Sequence, residues 1–251
     1  MNKERENTMY AIETTGLTRR FGSRVAVDHV NLSVREGELF ALLGVNGAGK
    51  TTTIRMLCCL LPPTEGDAAL MGRSVRGSIQ AVKSCLNVSP QETAVAPNLS
   101  VRENLELIAR LYGCPKRQAE ARAKEMMAEF QLEDRAKDRA KTLSGGLQRR
   151  LSIAMALISK PRVLFLDEPT LGLDVRARRD LWRIVEGLKK KTTIVLTTHY
   201  LEEAEALADR IGVMHEGRLI AAGTAQELYA LSGKNNIEEM FLSLTDSEAI
   251  E

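Results

Sequence analysis

Leu42-Leu43-Gly44-Val45-Asn46-Gly47-Ala48-Gly49-Lys50-Thr51-Thr52 reads as a buried strand, a glycine-rich turn and the first turn of a helix. From Gly44 to Gly49-Lys50-Thr51 the spacing satisfies G-x-x-x-x-G-K-[ST], and each residue type has a physical reason to be there. Glycines let the backbone curl until successive N–H groups point into a concavity at a helix N-terminus, where anions bind. Lys50 adds a point charge for β- and γ-phosphates, and Thr51 a hydroxyl for Mg²⁺. A glycine-rich turn with an incidental lysine would give the same letters. The apolar strand before and the helix after are, however, the context that phosphate binding requires. The expectation is a nucleoside triphosphate site.

On the N-terminal side, short strands are expected at Ala11–Thr14, Val25–Val27, Val30–Val34 and Leu39–Leu43, separated by the turns Phe21-Gly22-Ser23 and Arg35–Glu38. On the C-terminal side, helix runs from Lys50 to about Leu61, where Pro62-Pro63 stops it. A turn and strand over Thr64–Gly72, bending at Gly66-Asp67, and a strand at Cys85–Val88 lead into Ser89-Pro90-Gln91. The character then changes. Ser100-Val101-Arg102-Glu103 is a capping box, and Val101, Leu105, Ile108 and Leu111 recur at helical spacing. Pro115 opens a second helix with Ala119, Ala123, Met126, Met127 and Phe130 on one face, a core stripe.

Beyond it, a helix over Leu147–Ser159 precedes the continuous apolar run Val163-Leu164-Phe165-Leu166, which suits a strand covered on both faces of a parallel sheet. A helix over Val175–Lys190, a strand over Thr193–Thr197 and a helix over Glu202–Asp209 follow. A hairpin at Glu216-Gly217, a helix capped by Thr224–Glu227 and a last helix over Asn236–Leu244 complete the chain. The fold class expected is α/β: a P-loop core with a mainly parallel sheet, an antiparallel β subdomain and an inserted helical lobe. The core takes residues 9–91 and 146–230, the lobe 92–145 and a C-terminal extension 231–251; residues 1–8 read as a polar tail.

Composition narrows the function. The 251 residues carry a net charge of +2 with acids and bases interleaved, unlike the single-signed surface of a nucleic-acid binder, so no nucleic-acid partner is expected. Cys58, Cys59, Cys85 and Cys114 have no C-x-x-C spacing, and reduced thiols favour the cytoplasm. No apolar stretch approaches the length needed to span a bilayer.

Three further segments carry chemistry. The Val163–Leu166 run ends in Asp167-Glu168; in P-loop enzymes an aspartate at such a strand end holds Mg²⁺. The adjacent carboxylates divide the labour, Asp167 ordering the metal's surroundings and Glu168 polarising an attacking water. Thr193–Thr197 ends at Thr198-His199. A lone histidine is more often structural, but strand C-termini of an open parallel sheet gather ligands, which makes His199 a γ-phosphate contact. Ser144-Gly145-Gly146, at a helix start, is a second anion site or a plain cap. Two phosphate-binding helix starts for one triphosphate suggest two copies face to face, each lending its Ser144 segment to the other's nucleotide.

With these motifs in this order, residues 10–230 resemble the nucleotide-binding subunits of ATP-binding cassette (ABC) transporters. Gly44–Thr51 is similar to the family's Walker A loop, Gln91 to its Q-loop glutamine, Leu143–Gly146 to its signature and Val163–Glu168 to its Walker B. The resemblance implies ATP and Mg²⁺ as cofactors, with Gly44, Asn46, Gly47, Ala48, Gly49, Lys50, Thr51 and Thr52 around the phosphates. It implies Thr51, Gln91 and Asp167 at the metal, and Glu168 and His199 as catalytic residues. It further implies Phe21 stacked on adenine, Asp174 communicating across a dimer, and Ser144, Gly145 and Gly146 on the partner's ATP. Leu147 departs from the glutamine that usually ends the signature, and Phe21 from the usual tyrosine.

The short ending and the Ser144–Leu147 segment most resemble the multidrug and antibiotic export branch (ABC-2 type), which implies an integral membrane permease as partner and a place on the inner face of the cell membrane. Other classes fit less well. Soluble cassette ATPases acting on ribosomes or DNA generally carry two cassettes or long inserted arms. An idle binding module would not keep Lys50, Asp167, Glu168 and His199, and a GTPase would need an Asn-Lys-x-Asp segment.

Overall fold

The computed structural model describes residues 10–246; the expected tail at residues 1–8 lies outside them. Two sheets face each other across a shared core. The first is antiparallel, built from β1 (Tyr10–Phe21), β2 (Arg24–Val30), β3 (Ser33–Arg35), β5 (Glu65–Leu70) and β6 (Arg73–Ser74), ordered β2-β1-β5-β6 with β3 pairing β1. Between β3 and β5 lie β4 (Leu39–Leu43) and α1 (Lys50–Leu57).

The expected strand over Ala11–Thr14 proves much longer. β1 continues through Gly16 to Phe21, because Gly16 (φ +55°) and Gly66 (φ +70°) let the two backbones pass in contact. A Cβ on Gly66 would lie 2.1 Å from the Gly16 carbonyl oxygen. Gly66-Asp67 is therefore in the strand and not at a bend. Val30–Val34 is not one strand either: Val30 ends β2, and the chain turns through Asn31-Leu32 before β3. Helix α1 stops four residues short of Leu61, since Cys59 takes a left-handed conformation (φ +54°) before the prolines are reached.

The second sheet adds α2 (Ile79–Lys83), a helix the sequence pattern did not reveal, and then β7 (Leu86–Ser89). After three helices come β8 (Val163–Asp167), α6 (Val175–Glu186), β9 (Thr193–Thr198), α7 (Leu201–Leu207), β10 (Arg210–His215) and β11 (Arg218–Gly223). Strand order is β11-β10-β4-β9-β8-β7, parallel except for the β10–β11 hairpin. Every residue of β4, β8 and β9 is buried, as expected of strands covered on both faces. Phe40, Leu42, Val163, Phe165 and Val195 point toward the antiparallel sheet and α1; Leu39, Leu164, Leu166, Ile194 and Leu196 point the other way. The parallel strands thus end together at one rim, where Gly44, Asp167 and Thr198 emerge.

Between β7 and β8 the chain forms α3 (Val101–Leu111), α4 (Lys116–Glu129) and α5 (Gly145–Leu157). Ser100 and Glu103 make the capping box in full. Val101, Leu105, Ala119, Ala123, Met127 and Phe130 share one apolar cluster with α5 and with Leu164 and Leu166 of the sheet. The helices are therefore packed onto the sheet through α5. Two more helices, α8 (Ala225–Ser232) and α9 (Ile237–Thr245), close the C-terminal side over Ala41, Leu43, Ile211 and Val213. No helix of the described residues is long and apolar enough to cross a membrane, and the four cysteines are free thiols.

Candidate functional site

The rim of the parallel sheet opens into a cleft of about 540 Å³, lined by Phe21, Asn46, Gly47, Ala48, Gly49, Lys50, Thr51, Thr52, Gln91, Glu168 and His199, together with Arg24, Ala26 and Leu171. Gly49 caps α1 in a left-handed conformation (φ +102°), and a Cβ there would meet the Ala26 carbonyl at 2.6 Å. Gly44 does not line the cleft. It is needed because the loop passes against Met214, whose carbonyl oxygen would lie 2.4 Å from a Cβ. No acceptor among the described residues is paired with the backbone N–H of Gly47, Gly49, Lys50, Thr51 or Thr52. Five unpaired donors at a glycine-rich helix start that lines the cleft suit an anion.

Lys50 is 5% exposed. Its ammonium donates to the carbonyls of Gly44 (2.8 Å) and Val45 (3.2 Å) and stands 3.7 Å from Glu168 Oε1. Burial pulls its pKa down, and the charges of Glu168 and Asp167 partly restore it. A phosphate placed over the loop would add a second anion to the one that Glu168 already brings to this buried cation.

Asp167, at the end of β8, accepts a short hydrogen bond from the Thr197 hydroxyl on the paired strand β9 and lies 3.4 Å from Thr51 Oγ1. Glu168 is 8% exposed and sits at φ +46°, a conformation costing a non-glycine residue about 1–3 kcal/mol. Its N–H is shared between the Thr197 carbonyl (3.0 Å) and hydroxyl (3.1 Å), which hold the turn. His199 Nδ1 stands 3.3 Å from Glu168 Oε1 but out of line for a hydrogen bond, so this ring nitrogen is buried and unpartnered. Phe21 marks the outer edge, 47% exposed, with the Arg19 guanidinium 4.6 Å from its ring centroid. That contact covers one face of a ring that is otherwise half exposed at the cleft.

Gly44 and Asp167 stand behind the lining of the cleft, whereas Ser144, Gly145, Gly146 and Asp174 belong to other helix starts outside it. Ser144 caps α5, its hydroxyl accepting from the Leu147 N–H at 3.4 Å, and both Ser144 and Gly145 are exposed. Gly146 is half-buried against Ala177. Asp174 caps α6 through the Ala177 N–H at 2.9 Å. Two residues were missed by pattern reading. Thr197 is found only once strand register sets it beside Asp167. Arg149, 4% exposed, donates 2.7 Å to the Pro90 carbonyl and also bonds the Gln91 carbonyl. Burial pulls its pKa down while Asp167 pulls it up.

An open nucleotide cradle, a buried lysine and an acid pair at the C-terminal rim of a parallel sheet define a P-loop nucleoside triphosphatase. Comparison with known proteins narrows this. The family model described as "ABC transporter" matches residues 27–171. The daunorubicin resistance ATP-binding protein DrrA3 of Streptomyces coeruleorubidus is 44% identical over 229 residues, spanning 91% of this chain and 72% of that relative. A solved ATP-binding subunit of an ABC transporter superposes with a TM-score of 0.82 at 28% identity, covering 93% of this chain and 99% of the other. The ATP-binding cassette MJ0796, solved as a dimer in a post-hydrolysis state with ADP and Pi, gives a TM-score of 0.76 at 25% identity over 85% and 98%. The chain belongs to the ABC transporter family and is an ATP-binding, ATP-hydrolysing subunit of that kind.

Proposed function

We propose that two copies of this chain close on two ATP molecules, that hydrolysis separates them, and that this cycle drives a separate integral membrane permease exporting drug-like or lipid-like compounds. The observation that carries the shared site is the contrast between the cleft, cradled from one side only, and the exposed Ser144 helix start that lies outside it. Ser144, Gly145 and Gly146 then grip the γ-phosphate held by the partner, while Asp174 spans the joint.

Within each site the cradle amides and Lys50 bind the triphosphate, and Phe21 stacks on the base. Glu168 takes a proton from the attacking water, worth roughly 10²–10⁴-fold in rate, and His199 holds the γ-phosphate through its unpartnered nitrogen. Residues fit for Mg²⁺ are present. The Thr51 hydroxyl and the Asp167 carboxylate converge, and Gln91 lines the same cleft. Bound there, Mg²⁺ would neutralise phosphate charge.

Support for a permease comes from Leu107, Leu111 and Tyr112 at the end of α3, which are 43%, 72% and 54% exposed. Tyr112 Oη donates 2.6 Å to Asn87 on β7, the strand that leads to Gln91. The export reading is supported by the drug-resistance role in the name of the DrrA3 relative. On this reading the chain would work in the cytoplasm, against the inner membrane face.

Complementation tests the shared site. Lys50→Ala and Ser144→Arg copies, each inactive alone, are mixed and assayed for phosphate release. Recovered turnover is expected, since a mixed pair holds one site with both Lys50 and Ser144. No recovery in pairs shown to form would overturn the reading.

A further inference from the structure

We propose that Arg149 is a positioning residue: it ties the Gln91 segment of a chain's own ATP cleft to the helix whose first turn, at Ser144, serves the partner's ATP. The proposal rests on the shared-site reading above.

A cation that is 4% exposed is expensive to bury unless an anion pairs with it. Arg149 makes no ion pair among the described residues; its two hydrogen bonds end on the backbone carbonyls of Pro90 and Gln91. An apolar residue of similar volume would fill the space at no greater cost. What the guanidinium adds is a two-point grip on one short segment of backbone. That segment is the loop joining β7 to the helices, and Gln91 within it lines the cleft.

The grip lies five residues along α5 from the Ser144 cap, about 7–8 Å at the helical rise. Further ties fasten α5 to β7 in the same line. Ser152 Oγ is 3.2 Å from Ser89 Oγ, and Asn87 Nδ2 donates to the Ala156 carbonyl (2.6 Å) and to Ser159 Oγ (2.9 Å). A displacement of the Gln91 backbone is thereby passed to Ser144 by one stiff helix. Because the bond is to carbonyls, the tie does not depend on the Gln91 side chain. Coupling through Arg149 is separable from whatever the glutamine amide does in the cleft.

The test uses the full chain with Arg149→Met, Arg149→Lys and, separately, Ser144→Arg. Amide hydrogen exchange is followed over residues 91–95 and 144–148, with steady-state ATP hydrolysis alongside. In Arg149→Met, exchange at 91–95 rises about tenfold and kcat falls about tenfold, while KM stays within about twofold. Arg149→Lys, which keeps the charge and one bond, recovers part of both. Wild-type exchange and wild-type kcat in Arg149→Met would overturn the proposal. Faster exchange throughout α5 and β7 with no rescue by lysine would also overturn it, leaving a purely structural residue. Should Ser144→Arg turn over normally, the shared site itself fails. An inactive Ser144→Arg beside a fully active Arg149→Met removes only the present inference.

Discussion

Helices α1 and α5 both start from a glycine-bearing turn, and they differ in what surrounds the first turn. α1 begins inside a cleft: Lys50 is buried 3.7 Å from Glu168, His199 stands 3.3 Å from the same carboxylate, and the loop amides have no partner among the described residues. α5 begins at the surface, with Ser144 and Gly145 exposed and nothing of the cleft's chemistry beside them. On the shared-site proposal, one start is a binding site without a cover and the other a cover for the partner's site, so a single copy would hold both halves of the machine in different places.

The sharpest way to break this contrast is to disable each start in turn. Glu168→Gln removes the general base and should lower kcat by roughly 10²–10⁴-fold, measured as phosphate release. Lys50→Ala should abolish ATP binding in a calorimetric titration; unchanged affinity would remove α1 from the site. Ser144→Arg should stop turnover nearly as completely, yet leave the affinity of one copy for ATP within about threefold, because that copy's cleft is untouched. A matching loss of affinity would mean that the Ser144 segment serves its own cleft.

Smaller effects sharpen the picture. Phe21→Ala should weaken ATP binding by about 1–3 kcal/mol, with Phe21→Tyr restoring it. Ser100→Ala removes a cap far from either start and should cost about 1 kcal/mol in urea unfolding, with no change in ATP affinity. The smallest effect concerns Glu203 on α7. It is fully buried, takes a 3.0 Å bond from Trp182 Nε1, and burial pushes its carboxyl above the ordinary 4.5. A pKa raised by folding contributes stability that is present below the unfolded value and lost as pH rises through the folded one. The wild type should therefore lose stability relative to Glu203→Gln as pH rises above the ordinary carboxylate range. A difference that does not vary with pH would contradict this.

Sequence and structure agree where the signal is local. The loop at Gly44–Thr51 and the caps at Ser100 and Thr224 are each written within a few neighbouring residues. So is the all-apolar β8. β1 was truncated because its continuation beyond Thr14 depends on a crossing with Gly66, about fifty residues away. α2 has only five residues, too few for a period to show. Thr197 and Arg149 were invisible for a related reason. One acts through strand register and the other through carbonyls 58 and 59 positions distant, and no spacing rule contains either. The Ser144 segment is legible as a helix start suited to anions, and the fold adds that it is exposed and lies away from the cleft of its own copy.

The most direct measurement is the solution mass of Glu168→Gln with and without MgATP, repeated with Ser144→Arg added. The account predicts a dimer that appears with ATP, is held because hydrolysis is blocked, and is lost when Ser144→Arg is added. A mass that stays monomeric at saturating ATP, or an ATP-dependent dimer indifferent to Ser144→Arg, would contradict it.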